Sequence, residues 1–211
     1  AISRWLQVTI EKTGEEAVFI PNGLDSQEFG IDISPEQRSP QRLVMPWSDM
    51  DWKGSRDGLN AVKQAHREHS DLRLDLFGIE RPPKGLEGWM SYHRNPTRAR
   101  LRDLYNKAAI FVGPSWSEGW GLPPCEAMLS GAAAAITDNA GHREFAVHKV
   151  NALLSPPRDS KRLAENINRL LDDQYFRLQL AARGNKDIQM FNWEQSVLDM
   201  EKLFENQLSV D

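Results

Sequence analysis

The sequence predicts an α/β fold built on a parallel, doubly wound sheet that is covered by helices on both faces. The first observation is that short apolar runs alternate with amphipathic segments of helical period along all 211 residues. The second is that most of these runs have the pattern of short buried strands, while residues 72–77 alternate with period two and stop at Gly78. The third is that the connections are short, with no internal repeat and no low-complexity linker. We therefore expect one Rossmann-like domain over residues 1–211.

The predicted strands are short and stop at residues that interrupt a sheet. They are expected at residues 17–20, 42–45, 72–77, 110–112, 132–136 and 152–154. The first two are followed by Pro21 and Pro46, and the third by Gly78. Proline lacks the N–H that a sheet requires and glycine weakens a strand, so each run ends there. The segment 90–93 is expected to be a loop.

The predicted helices fill the intervals between these strands and follow them to the end of the chain. They are expected at residues 55–69, 97–109, 123–129, 160–171, 176–184 and 193–208. Asp57 places a negative charge near the start of the first helix, where it suits the helix dipole. Asp159 is expected to cap the fourth helix, and Gly131 to follow the third as its C′ residue.

The composition and the charge exclude several functional classes. A hydrophobic fraction of 40% and a charged fraction of 27% are ordinary for a globular protein. The net charge of −4 argues against a nucleic-acid binder that relies on a broad basic face. No apolar run approaches the length of a bilayer span. The single cysteine, Cys125, excludes an internal disulfide and a multi-cysteine metal site, and it fits a reducing compartment.

These features predict a cytoplasmic location, with one basic segment that allows peripheral contact with a membrane surface. Arg94, Arg98, Arg100 and Arg102 either touch an anionic surface or form a solvated helix face. The chain starts with Ala1 rather than Met and shows no signal peptide. It is therefore expected to be a fragment, from which a targeting segment could have been removed.

The loop after the fourth predicted strand carries the strongest site pattern. Ligands of this fold bind outside the carboxyl ends of the strands. Here a strand end is followed by a turn that contains Gly119 and Gly121, and then by a helix that starts at Pro123 and Pro124. Proline at a helix start removes no needed donor, and the N–H groups of the turn stay free to meet an anion. The anion that best fits this turn is a diphosphate.

Two carboxylates bracket this turn. Glu118 precedes it and Glu126 follows eight positions later, in the first turns of the helix. A carboxylate repels phosphate, so each is expected to accept hydrogen bonds from hydroxyls beside the diphosphate, a sugar on one side and a ribose on the other. The alternative is that Glu126 only complements the helix dipole and the glycines only shape a turn.

This arrangement resembles the signature of retaining, nucleotide-sugar-dependent glycosyltransferases of family four (group 1). The resemblance continues in the same order at residues 20–25, 53–54, 77–78, 140–144, 151–157 and 191–193. The family has the GT-B architecture of two facing Rossmann-like domains. The resemblance covers nearly the whole chain, and it implies the C-terminal, donor-binding half of such an enzyme. The N-terminal, acceptor-binding domain would be absent from this chain.

The resemblance also implies roles for single residues. Glu118 would contact hydroxyls of the donor sugar, and Glu126 those of the ribose. The backbone amides of Gly119, Trp120, Gly121 and Leu122 would hold the diphosphate. Lys53 would neutralise charge on the leaving group, the kind of electrostatic contribution that dominates many enzymatic reactions.

The roles that the resemblance implies are open at two places in the site. The family typically has an arginine five residues before the lysine, and this chain has Ser48 there. Arg56 either replaces that arginine or is an exposed helix charge. Tyr92 and His93 lie in the region that faces the nucleobase in the family, and they either contact the base or are packing residues.

The function that the resemblance implies is transfer of a glycosyl group from a UDP- or GDP-sugar to an unidentified acceptor in polysaccharide or glycoside biosynthesis. The acceptor would be a glycan, a lipid-linked saccharide or a small glycoside, and the isolated fragment would be nearly inactive. No cofactor and no metal are expected, although Asp49 and Asp51 imitate a metal-binding pair. The alternative functions are a non-catalytic nucleotide-binding or scaffold subunit, and a phosphorylase or hydrolase of the same architecture.

Overall fold

The fold is organised around one parallel sheet. A computed structural model describes residues 1–208 and contains six strands in the order β3-β2-β1-β4-β5-β6, each parallel to its neighbours. The strands are β1 (Arg42–Pro46), β2 (Arg73–Gly78), β3 (Met90–Arg94), β4 (Ile110–Gly113), β5 (Ala133–Thr137) and β6 (Leu153–Ser155). The predicted doubly wound, Rossmann-like fold is therefore confirmed.

Seven α-helices accompany the sheet in the described residues. They are α1 (Arg4–Glu11), α2 (Ser55–Glu68), α3 (Arg98–Lys107), α4 (Leu122–Leu129), α5 (Ser160–Asp172), α6 (Gln174–Ile188) and α7 (Trp193–Leu208). The side chains of Thr97 and Asp159 cap α3 and α5 by accepting backbone N–H groups. Gly131 has φ of +83° directly after α4, as expected for a C′ glycine.

The core lies on the two faces of the sheet. Because side chains alternate along a strand, Leu43 and Met45 of β1 belong to the cluster packed by α2, α5 and α6, and Val44 belongs to the opposite one. That second cluster is formed with α3 and α4. None of the helices in residues 1–208 is long and apolar enough to cross a membrane.

Two sequence predictions about strands are wrong. Residues 17–20 form no strand, because the Ile20 N–H and the Val18 carbonyl are bonded to Ala1 rather than to the sheet. Residues 90–93, expected as a loop, belong to the edge strand β3, which pairs with β2 in register from Leu74 to Gly78. An edge strand has only one strand partner, so the polar residues of this segment fit a sheet without an apolar pattern.

The helix α1 is absent from the sequence predictions, and α6 begins and ends beyond its predicted bounds of 176–184. No residue of α1 is buried. Its apolar residues therefore do not form the strongly buried stripe by which a helix is recognised. The last three residues of the expected domain range, 209–211, lie outside the described residues.

We predict that Gly58→Ala destabilises the fold. Alanine raises helix propensity by about 1 kcal/mol, but overpacking a core typically costs about 1–3 kcal/mol. A Cβ at this position of α2 would lie 2.7 Å from Met45 Sδ and 2.7 Å from Pro114 Cγ. The steric cost should therefore exceed the gain in helix propensity. Urea unfolding measures the effect. Gly88→Ala is the matched control, since a Cβ there meets no atom within 4 Å. Equal stabilities of the two variants would contradict the prediction.

Candidate functional site

The predicted site residues lie at the switch point of the sheet. From β1 the chain continues to β2 and β3 at one edge, and from β4 to β5 and β6 at the other. Open α/β sheets bind ligands outside the carboxyl ends of their strands at such a point. The loop after β1 carries Lys53, and the loop after β4 carries residues 118–122. The topology therefore brings two distant segments together.

These two loops are in direct backbone contact. The Trp116 N–H donates to the Trp52 carbonyl oxygen at 2.7 Å. The Trp116 indole N–H also donates to Asp57 in the first turn of α2, at 2.8 Å. Gly54 has φ of +59°, and a Cβ there would lie 2.1 Å from the Pro114 carbonyl oxygen. Both the backbone conformation and the available space therefore require glycine at this contact.

The side chains of Lys53 and Glu118 meet across this contact. The Lys53 ammonium Nζ lies 2.8 Å from Oε1 and 3.0 Å from Oε2 of the Glu118 carboxylate. Their side chains are 37% and 16% exposed, respectively. The structure thus brings together the two residues that the sequence predicts to act on the sugar and on the leaving group.

The turn before α4 offers backbone N–H groups without protein partners. Among residues 1–208, no hydrogen bond uses the N–H of Gly119, Trp120, Gly121 or Leu122. Gly121 is the N-cap of α4, with φ of +110°, and prolines occupy the first turn of this helix. Free N–H groups at a helix start form a ready site for an anion, because their dipoles favour negative charge.

Trp120 contributes its backbone rather than its side chain to the surface of this turn. Its indole is buried, with its ring centroid 4.9 Å from that of Phe191 and 6.1 Å from that of Phe145. The large ring anchors the turn in the core and leaves the N–H groups in place. The family resemblance assigns only the backbone amide of Trp120 to the donor, and the buried indole is compatible with that role.

Helix α1 packs against the outer side of the same turn. The Trp5 indole N–H donates to the Glu118 carbonyl oxygen at 3.2 Å. At the start of α1, the Arg4 N–H donates to the Glu144 carboxylate at 2.6 Å. A Cβ on Gly119 would lie 3.3 Å from Ile2 Cδ1. The sequence predictions miss these contacts because they miss α1.

Glu126 is buried inside α4 and is held by two side chains of α3. Its Oε2 accepts a hydrogen bond from the Tyr105 hydroxyl at 3.1 Å. Its Oε1 lies 3.3 Å from Nη1 of Arg98, whose guanidinium also binds Glu28. Burial raises the pKa of Glu126 above its ordinary value, and the Arg98 charge opposes this shift.

Arg98 makes a contact that the sequence predictions miss, although 62% of its side chain is exposed, as a solvated helix face requires. It was expected in a basic run that faces solvent or a membrane, but its guanidinium contacts Glu126. Two other arginines of that run are paired with carboxylates, Arg100 with Asp103 and Arg102 with Asp32. The sequence signal for Arg98 is weak, because a salt bridge between two helices has no fixed spacing.

Arg56 and Ser48 line one small cavity beside Gly54 and Trp116. The Arg56 side chain is 77% exposed, and its Nη1 lies 4.0 Å from Asp51 Oδ1. The Ser48 hydroxyl donates to the Glu80 carboxylate at 2.9 Å, and its N–H donates to Ser55 Oγ at 2.9 Å. The Arg56 guanidinium thus lines the same cavity as Ser48, the position where the resembled family has an arginine. It has no close partner that fixes it.

Tyr92 and His93 lie on opposite faces of the edge strand β3. The Tyr92 hydroxyl donates to the Glu80 carbonyl oxygen at 2.7 Å, and burial raises the pKa of this phenol. His93 Nε2 lies 2.9 Å from the buried carboxylate of Asp75, which also accepts a hydrogen bond from Arg42. Both side chains therefore have protein partners, and their contact with a nucleobase stays a prediction.

The structure also shows the surroundings of Cys125, His66 and His69. Burial raises the pKa of the Cys125 thiol well above its ordinary value, which keeps it protonated and poorly nucleophilic. His66 stacks on Trp89, and His69 pairs with Asp172. Within residues 1–208, no group of three or more His, Cys, Asp or Glu side chains is arranged to hold a metal ion.

The fold defines a class of protein, a doubly wound α/β domain that presents free backbone N–H groups at the switch point of its sheet. Residues 42–173 match the family described as "Glycosyl transferases group 1". The chain belongs to this family, and its fold is that of the C-terminal domain of a GT-B glycosyltransferase.

Individual relatives agree with this assignment. The chain is 29% identical over 146 residues to a probable sucrose-phosphate synthase of Solanum tuberosum, covering 66% of this chain and 13% of the relative. The C-terminal domain of a group 1 glycosyl transferase from Francisella tularensis superimposes with a TM-score of 0.69, at 22% identity, covering 80% of this chain and 97% of that one. HepE from Anabaena, in complex with UDP-glucose, gives a TM-score of 0.81 at 19% identity. The match covers 99% of this chain and 63% of the HepE chain.

We predict that Glu126→Gln reduces the loss of stability as the pH rises. The folded-state pKa of Glu126 is raised above the unfolded value of 4.5. Between the two values the native state binds more protons, so stability falls by about 1.4 kcal/mol per unit of pKa difference as the pH rises through this window. Glutamine does not ionise and cannot contribute this fall.

Urea unfolding at stepped pH values above 4.5 measures the difference. Glu165→Gln is the control, because the Glu165 side chain is 45% exposed on α5. This control should follow the wild-type curve. Parallel curves for the wild type and Glu126→Gln would show that the buried carboxyl has no raised pKa.

Proposed function

We propose that this chain is the donor-binding domain of a retaining glycosyltransferase that uses a UDP- or GDP-sugar. The observation that carries the proposal is the run of free N–H groups at residues 119–122 beside the Lys53 ammonium. A helix start with free donors and a nearby cation suits the two charges of a diphosphate. HepE, which shares the fold, was solved with UDP-glucose bound.

The two carboxylates support binding of hydroxyl groups on either side of that diphosphate. Glu118, which the family resemblance assigns to the donor sugar, shares its oxygens with Lys53. Glu126 uses one lone pair of each oxygen for Arg98 and Tyr105. A carboxylate has about four acceptor directions, so two remain for the vicinal hydroxyls of a ribose.

Lys53 and the start of α4 would stabilise the negative charge that develops as the bond between sugar and phosphate breaks. Glu118 is already paired with Lys53, which makes its carboxylate a poor covalent nucleophile. A front-face transfer guided by the leaving phosphate is therefore the mechanism we favour. The acceptor, and any acid or base that acts on it, would be supplied by an N-terminal domain. The site needs neither a cofactor nor a metal in this mechanism, and a cytoplasmic location stays a prediction.

A non-catalytic nucleotide-binding subunit is the second candidate. The observation that favours it is Ser48, which stands where the resembled family has an arginine and hydrogen-bonds Glu80 instead. The pair formed by Lys53 and Glu118 favours the enzyme. Transfer activity of the longer protein that contains this domain, measured with and without Glu118→Gln, separates the two candidates.

We predict that UDP or GDP, titrated beside ADP, binds the chain saturably in calorimetric titration without added metal. Glu126→Ala should weaken that binding by about tenfold to a hundredfold, because hydrogen bonds to a charged group contribute about 1.5–3 kcal/mol. Repetition with magnesium tests the expectation that no metal is needed. The control Glu165→Ala should bind as the wild type does. Unchanged affinity of Glu126→Ala would refute the role assigned to this carboxylate.

We predict that Lys53→Gln weakens binding of the nucleoside diphosphate more than binding of the monophosphate. The Lys53 ammonium is on the sugar side of the turn, beside Glu118, and there it would meet the β-phosphate. The measurement is a pair of titrations, with UDP and UMP or with GDP and GMP. Arg67→Gln, at an exposed position near the end of α2, is the control for loss of one positive charge. An equal effect of Lys53→Gln on both nucleotides would contradict the assignment.

A further inference from the structure

His142 is a buried histidine in direct contact with the turn that precedes α4. It is 1% exposed and lies in a short 3-10 helix, His142–Glu144, after β5. A Cβ on Gly121 would lie 2.7 Å from Cδ2 and 2.9 Å from Nε2 of its imidazole. The ring edge that carries Nε2 therefore faces Gly121, one of the residues with a free N–H. Sequence reasoning gives this histidine no role.

The hydrogen-bond network assigns the tautomer of His142. Its Nδ1 lies 2.8 Å from the Thr137 carbonyl oxygen, which can only accept, so Nδ1 carries the proton. The Asn139 amide group also lies near Nδ1, but it donates to the Ser115 carbonyl oxygen and to Thr137 Oγ1. With the proton on Nδ1, Nε2 is left with a lone pair and acts as an acceptor.

No protein group satisfies this acceptor. Among residues 1–208, all hydrogen bonds of the His142 ring use Nδ1 and none uses Nε2. Burial lowers the pKa of His142, which favours the neutral ring at physiological pH. The charges of Glu118 and Lys53 act on the same imidazole, so it lies near the pair assigned to the sugar. A nearly buried histidine whose acceptor nitrogen has no protein partner requires an explanation.

We infer that Nε2 of His142 accepts a hydrogen bond from a hydroxyl group of the donor sugar and helps to select that sugar. This inference rests on the proposed function. The chemistry favours a sugar hydroxyl over a phosphate, because a lone pair on a neutral imidazole repels a phosphate oxygen and attracts an O–H. The fixed Nδ1 bond to Thr137 holds the ring in one orientation, which makes the acceptor directional.

His142→Asn tests the inference with little disturbance of the fold. The Asn amide nitrogen takes the position of Nδ1 and can still donate to Thr137, while the acceptor at Nε2 is removed. Binding of UDP is compared with binding of UDP-glucose, UDP-galactose and UDP-N-acetylglucosamine, or of GDP with GDP-mannose if the chain takes guanosine. The best sugar nucleotide should bind about two- to tenfold more weakly to the variant, as expected for one lost hydrogen bond. Binding of the free nucleotide should not change.

Deoxyfluoro derivatives of the best sugar identify the hydroxyl, because fluorine can accept a hydrogen bond but cannot donate one. One positional isomer should bind more weakly than its parent to the wild type and equally well to His142→Asn. His69→Asn is the control, since this histidine lies at the far end of α2, paired with Asp172. It should behave as the wild type in every titration.

The outcomes separate the inference from the function on which it rests. If the wild type binds neither UDP nor GDP, both the proposed function and the inference fail. If a sugar nucleotide binds and His142→Asn leaves its affinity unchanged, the inference alone fails. Equal weakening of the free nucleotide and the sugar nucleotide would indicate a structural role for His142 and would also overturn it.

Discussion

The site depends on the close backbone contact between the loops that follow β1 and β4. The Trp116 N–H is bonded to the Trp52 carbonyl oxygen, and Gly54 leaves no room for a side chain next to Pro114. The distance between these loops determines whether the Lys53 ammonium can reach Glu118. Because β1 and β4 are parallel neighbours, their loops leave the sheet at the same edge. The pair of opposite charges formed by Lys53 and Glu118 therefore lies at the switch point of the sheet.

The turn that carries the free N–H groups is held from two sides. On the outside, Trp5 and Ile2 of the N-terminal segment contact Glu118 and Gly119. On the inside, a Cβ on Gly141 would lie 2.4 Å from the Glu118 carbonyl oxygen. Packing on both sides holds the N–H dipoles in one direction, as the proposed anion site requires. Donors held in place need little reorganisation, which is why such preorganised groups are effective.

The parts of the fold that the sequence predicts correctly are those whose burial is complete. The strands β1, β2, β4, β5 and β6 are buried over most of their length, so their central residues are apolar except Asp75, whose carboxylate is paired with Arg42 and His93. The edge strand β3 is half exposed and lacks that pattern. The run at 17–20 has the pattern of a strand, but only Ile20 of its side chains is buried, Val18 is exposed, and no strand pairs with it. Apolar periodicity reports burial, and it identifies a strand only where a neighbouring strand causes the burial.

The residues of the candidate site also differ in whether a sequence pattern alone can identify them. Glu118 and Glu126 can be found from the sequence because they flank one turn, whereas Arg98, Tyr105 and His142 acquire their roles from contacts across the fold. These contacts also support the proposal that the site binds a ligand rich in hydroxyl groups. Glu126 is buried with one partner per oxygen, and Arg98, at 62% side-chain exposure, offsets its charge only in part. The buried carboxylate of Glu126 and Nε2 of the nearly buried His142 thus keep unused acceptor directions, and O–H groups would satisfy both without adding charge.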